Sequence, residues 1–293
     1  MKFKGQRKSS NVEDRRSTSS SNRTGLPISL AGGGGIGVVI IFVLFMFMSG
    51  GDLGSVLEVL GGTTGGMPTS SQNTSVGTSP KEEEAKEFLG VVLAHSEDVW
   101  IEKFKEINRT YTEPTLVLYR NSISSGCGIS GSSVGPFYCP GDQKIYIDLS
   151  FYDELSEKYK APGDFAMAYV LAHEVGHHVQ EQLGIMNQMN RIRQQVSETE
   201  YKKYQVRLEL QADYFAGVFA KYIQDLGYLE EGDFDEALQA AFAVGDDTLQ
   251  KEYQGYVVPD SFTHGTSAQR MEWFKRGFKY GDFEHSDTFN TDL

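Results

Sequence analysis

Two histidines and a glutamate fall within the run His173-Glu174-Val175-Gly176-His177. Residues four apart on an α-helix project from one face, so both imidazoles can bind a single metal ion. Glu174 lies on the flank of that face. A carboxylate there can accept a proton from water, whose pKa a bound zinc ion lowers to about 7. The residue types and spacing therefore suit metal-assisted hydrolysis. Three of the six histidines lie between positions 173 and 178 on an otherwise apolar stretch, where unpaired His and Glu would be costly to bury. His178 points about 100° away from His177 around the helix, which gives it a structural role outside the ligand set.

A catalytic zinc takes three protein ligands and keeps one position open. The expected third ligand is Glu209 in Glu-Leu-Gln-Ala-Asp, on the next strong helical stretch. Asp213 is four residues further on, shares its face and could hydrogen-bond the distal nitrogen of a ligand histidine. His264 and Arg270, in Thr-His-Gly-Thr-Ser-Ala-Gln-Arg, are candidates to donate to the oxyanion formed when water attacks a peptide carbonyl. The plain alternative for these two is a loop histidine and a helix-surface arginine. Residues 145–149 read as a strand just before the active-site helix and could offer an edge to an extended substrate. His95 and His285 have no partner motif, and Met167, Tyr169 and Phe219 read as core residues.

The elements that must carry these groups follow from local signals. Ser79 as N-cap, Pro80 at the first helical position and Glu82 completing a capping box start an amphipathic helix that runs to about Ile107. Residues 116–119 and 145–149 read as strands, with a Gly- and Ser-rich stretch containing Cys127 and Cys139 between them. A helix then runs from near Asp164 to Gly184, a natural C-cap. Further helices are expected over residues 196–226, 233–244 and 267–278. The pattern is α+β and mainly helical with a small sheet, and residues 79–285 form one domain ahead of a C-terminal tail, 286–293.

The 293-residue chain has a formal charge of −13, unevenly spread. Its first fifty residues hold seven Lys/Arg against two Asp/Glu, a net +5, which leaves −18 for the rest. That acidic balance argues against nucleic acid as a partner, because phosphate neutralisation needs a basic patch. Residues 1–27 are polar, basic and without apolar periodicity, and read as a disordered cytoplasmic tail. Residues 28–48 carry no charge, and 36–48 are almost entirely large and apolar. Twenty-one uncharged residues can cross a bilayer core of roughly 30 Å at about 1.5 Å per residue, so a single transmembrane helix is expected. A secretory signal is the rival, but no small-residue cleavage site stands out after Met48. Residues 49–78 are rich in Gly, Ser and Thr and read as a flexible tether. Basic residues before the span favour the N-terminus inside and the following domain outside. A disulfide between Cys127 and Cys139 agrees with that placement, although a free pair in a reducing compartment fits two isolated cysteines equally.

Several motifs in one order make the chain resemble the neutral zinc metallopeptidases of bacterial membranes. They are Ser-Ser-Asn-Val-Glu-Asp-Arg-Arg near the start, Gly-Cys-Gly, Gly-Pro-Phe-Tyr-Cys-Pro-Gly-Asp, Ala-His-Glu-Val-Gly-His-His, Glu-Leu-Gln-Ala-Asp-Tyr-Phe-Ala-Gly and His-Gly-Thr-Ser-Ala-Gln-Arg. The resemblance covers nearly the whole chain. It implies a zincin-like fold of the glutamate-ligand type, zinc held by His173, His177 and Glu209, Glu174 as the catalytic residue, and an extracytoplasmic domain. The expected activity is zinc-dependent hydrolysis of peptide bonds in cell-envelope proteins or peptides. Two other readings are a zinc-stabilised envelope scaffold without turnover and a cytoplasmic quality-control protease. The expected partners are a protein or peptide substrate and the membrane, through one N-terminal span.

Overall fold

The first long helix, α1 (Pro80–Glu106), begins on the capping box read from the sequence: the Glu82 amide donates to Ser79 Oγ and the Ser79 amide donates to Glu82 Oε2 at 2.8 Å. The structure is a computed structural model that describes residues 1–17, 79–131 and 134–293. The predicted membrane span and tether, residues 28–48 and 49–78, lie outside these. No helix among the described residues is long and apolar enough to cross a membrane.

A four-stranded sheet has the order β1-β2-β6-β5, with β1 (Val12–Asp14), β2 (Thr115–Tyr119), β5 (Phe137–Cys139) and β6 (Lys144–Asp148). β1, β2 and β6 run parallel, and β5 runs antiparallel to β6. β6 is thus paired on both sides. The strand expected to offer substrate an edge has none free, and among the described residues that edge belongs to β5, which is only three residues long and sits in a turn-rich stretch. A hairpin of β3 (Ser122–Ser125) and β4 (Gly128–Gly131) lies beside it, and the disulfide Cys127–Cys139 ties the hairpin turn to the last residue of β5.

The remaining elements are helices: α2 (Phe151–Glu157), α3 (Asp164–Leu183), α4 (Ile185–Arg193), α5 (Glu198–Asp225), α6 (Asp233–Ala243), α7 (Asp246–Gln254) and α8 (Ser267–Tyr280). α3 ends on Gly184 in the left-handed conformation (φ 83°), as predicted. It is the central element, buried on nearly every side and packed against α1, α5 and α6. Phe165, Leu171, Val175 and Val179 on α3 and Leu210, Phe215 and Phe219 on α5 belong to the same core as Leu89, Val92 and Trp100 of α1. Each such side chain contributes about 1.5–3 kcal/mol by leaving water.

Two terminal segments depart from the expectation. Residues 1–17, part of the stretch read as a disordered tail, form an arm packed along α1 and end in strand β1. Ser9 N–H donates to the Gly90 carbonyl at 2.9 Å, and the Met1 ammonium lies 3.0 Å from both Asp164 and Asp233. Most of its contacts are polar, and its apolar anchors Met1, Phe3 and Val12 are too unevenly spaced to show a period. Residues 286–293, read as a tail, are docked as well. Thr288 donates to the Arg207 carbonyl at 2.6 Å, and Phe289 packs on the small cluster of Met189, Tyr201 and Leu208.

Candidate metal centre

Nε2 of His173 and Nε2 of His177 lie 3.2 and 3.5 Å from the same Glu209 oxygen, and the three side chains converge within 4.8 Å. Ligands bound tetrahedrally at about 2.1 Å would be about 3.4 Å apart, so both nitrogen-to-oxygen spacings fit zinc. Gly176 makes this convergence possible. A β-carbon there would lie only 3.0 Å from the Ala212 carbonyl, so the missing side chain lets α3 and α5 approach and brings Glu209 over the two histidines.

The distal ring nitrogens are both engaged, which leaves each Nε2 lone pair for a metal. His173 Nδ1–H donates to Asp213 Oδ1 at 2.8 Å, the contact expected from the sequence. His177 Nδ1–H donates to Gln180 Oε1 at 2.9 Å, and the Gln180 amide nitrogen donates to the Leu208 carbonyl (2.7 Å) and to Gln211 Oε1 (3.1 Å). Gln211 in turn donates to the Ser286 carbonyl at 2.9 Å, so the docked C-terminal segment supports this side. Gln180 was legible in principle, since a glutamine three residues after a ligand histidine shares its helix face.

Arg270 departs from its expected role. It is buried and spends its guanidinium on Asp213 through Nε (2.8 Å) and Nη2 (2.9 Å), on Tyr169 Oη (3.1 Å) and on the Val244 carbonyl (3.1 Å). With four of its five N–H groups committed inside the protein it acts as a buried clamp on Asp213 and is not a surface residue. Tyr169, read as plain core, donates its hydroxyl to Asp213 Oδ1 at 2.5 Å. Asp213 thus gathers three donors from α3 and α8. The glycines Gly217 and Gly277 permit this, because a β-carbon on either would collide with backbone of the facing helix and hold α5 and α8 apart.

Charge follows geometry. In the metal-free protein burial opposes an imidazolium at His173, but Asp213 and Glu209 outweigh it and raise its pKa to about 9. Burial likewise opposes the carboxylate of Asp213, and Arg270 with His173 overcomes it to hold the pKa at about 2. Glu209 is held well below the usual carboxylate range despite burial, chiefly by His177 and His264. Each carboxylate is therefore ready as an anion for a cation.

His264 lies within electrostatic reach of Glu209, as that effect shows. Its loop is clamped by Asp246, a residue the sequence reading missed: Asp246 Oδ2 accepts from the amides of Thr263, His264 and Gly265 at 2.8, 2.7 and 3.0 Å. A β-carbon on Gly265 would meet Val206 and Leu210, the residues flanking Glu209 on α5, which locates the loop against the centre. His264 Nδ1 is 3.0 Å from Thr263 Oγ1 and 3.4 Å from Asp246 Oδ1, so Nε2 points the other way. His178 holds α3 to the sheet edge, accepting from Tyr138 Oη at 3.0 Å and donating to the Thr112 carbonyl at 2.7 Å, in keeping with a structural role. A second acidic convergence, Asp164, Asp233 and Glu236, surrounds the Met1 ammonium and the Phe165 amide instead.

Residues 1–289 match the family described as "Putative neutral zinc metallopeptidase", and the chain belongs to it. It is 48% identical over 294 residues to the uncharacterized protein YpfJ of Escherichia coli (strain K12), covering 100% of both chains. It is also 41% identical over 191 residues to the uncharacterized proteins Rv2575 of Mycobacterium tuberculosis and Mb2605 of Mycobacterium bovis, which spans 61% of this chain and 64% of each of those. No solved structure matches it.

Proposed function

We propose that the chain is a zinc-dependent peptidase that hydrolyses peptide bonds in proteins or peptides of the cell envelope. The convergence of His173, His177 and Glu209, with both distal ring nitrogens already engaged, is the observation that carries this reading. Zinc bound there would acidify water and polarise the substrate carbonyl. The chain's own residues supply the rest. Glu174 follows His173 by about 100° around α3 and lies about 60° from His177, at the margin of the ligand face. From there it accepts the proton of the attacking water and passes it to the departing amine. His264, steadied through Nδ1 and its clamped loop, presents Nε2 to the oxyanion that develops on the carbonyl. The outer edge of β5, unpaired among the described residues and joined to α3 through Tyr138 and His178, offers an extended peptide a strand to pair with. The disulfide Cys127–Cys139 favours an oxidising compartment for this domain.

Glu174→Gln tests the mechanism. The variant should bind zinc with unchanged stoichiometry and lose about a hundredfold to ten-thousandfold in peptide hydrolysis. Zinc retained together with undiminished cleavage would remove Glu174 from the mechanism. A scaffold without turnover would show no cleavage of a peptide library by either form.

A further inference from the structure

The arm of residues 1–17 is bound to the domain by a continuous set of hydrogen bonds and ion pairs that runs from Met1 to Arg16. Glu97 on α1 is buried, and its carboxylate takes its partners from the arm: the Ser9 hydroxyl, Asn11 Nδ2 at 2.9 Å and Arg7 Nη1 at 3.2 Å. The arm thus both covers this carboxylate and supplies the hydrogen bonds that its burial requires. The Leu116 amide donates to the Asn11 carbonyl at 2.8 Å and the Arg15 amide to the Leu118 carbonyl at 2.8 Å, so one whole side of β2 is satisfied by the arm. Arg16 is buried and binds Glu83 at 2.7 Å, while Lys86 binds Asp14 at 2.9 Å. Arg16 therefore ends the arm beside Glu83, four residues past Ser79. The chain leaves the folded body and returns to it at the same place.

We propose that residues 1–17 and 79–293 occupy one compartment, as two pieces of one folded body whose connecting residues depart from and come back to a single side. A single membrane crossing within residues 28–48 would put β1 and β2 on opposite faces of a bilayer, and this fold and that topology exclude each other. Together with the disulfide, the inference places the basic N-terminal residues on the same side as the metal centre, contrary to what their charge alone predicts. It does not depend on the metal-site reading.

Two exposed positions test it in cells making the full chain. Ser10→Cys marks the arm and Glu102→Cys marks the domain, each in a separate variant and with the parent chain, whose cysteines are paired with each other, as the blank. A membrane-impermeant maleimide is applied to intact and to disrupted cells. The two sites should behave alike, both reacting in intact cells or both reacting only after disruption, with labelling ratios equal within about twofold. One site reacting in intact cells while the other waits for disruption overturns the proposal. A second variant reads the contact itself. A β-carbon on Gly90 would sit 3.6 Å from Lys8 Cβ, within the range for a disulfide, so Lys8→Cys with Gly90→Cys should cross-link under mild oxidation in the full-length protein. An uncrosslinked pair in protein that retains the parent's circular dichroism spectrum and cooperative melt would also overturn it.

Discussion

His173 and His177 sit one helical turn apart and face the same carboxylate, yet they are held by different means. The ring of His173 is steadied by charge: Asp213 from α5, itself gripped by Arg270 from α8 and Tyr169 from α3. The ring of His177 is steadied by a neutral amide from its own helix, Gln180, passed on through Gln211 to the docked C-terminal segment. The charged side makes its imidazole a stronger ligand and spans three helices. The neutral side fixes orientation alone. One half of the centre is thus held by buried charge and the other by a relay of neutral amides, and loss of partners should read out differently on the two sides.

The largest effect should come from Arg270→Met, which leaves Asp213 buried with only part of its compensation. We expect a loss of about 3–5 kcal/mol in unfolding free energy, measured by denaturant melts of the metal-free protein. A loss below about 1 kcal/mol would show that the charged side is not a unit. Asp213→Asn keeps the shape but removes the charge, and zinc affinity should fall about tenfold to a hundredfold in competition titrations. Gln180→Ala should weaken zinc by less than about tenfold, because only the orientation of His177 suffers. Equal losses for the two variants would abolish the contrast drawn above. The last expectation concerns pH and reads the charged side without a substitution. The folded pKa of His173, raised to about 9 from the ordinary 6.5, means that its proton stabilises the metal-free protein fully below pH 6.5, and that this contribution disappears as pH climbs through 9. Zinc competes for the same nitrogen. Thermal melts should therefore show the metal-free form weakening over that window while the gain from added zinc widens.

How much of this could be read from the chain alone depended on how local each signal is. The histidine pair, its helix, the Gly184 cap and Glu209 on the next long helix announce themselves within short windows, and the structure brings the three side chains together. Asp213 was found because it repeats the four-residue spacing. Arg270 was misjudged because its partners lie on other helices, and nothing near it in sequence marks it as buried. Asp246 was missed for the same reason. The arm was misread because polar contacts hold it: its anchor, Glu97, is far along the chain, and its strand is three residues long. The edge was assigned to β6 because β5 is too short to register as a strand among turn residues.

The close approach at Gly176 also bears on which ions the centre admits. The gap between α3 and α5 sets the two nitrogen-to-oxygen sides of the triangle, and at 3.2 and 3.5 Å these match ions with bonds of about 2 Å. A larger ion such as calcium, with bonds of about 2.3–2.6 Å and an appetite for more oxygen ligands, would have to push two packed helices apart. If the centre holds zinc as proposed, part of its size discrimination would rest on a glycine outside the ligand set, where an added methyl would press on the Ala212 carbonyl of α5.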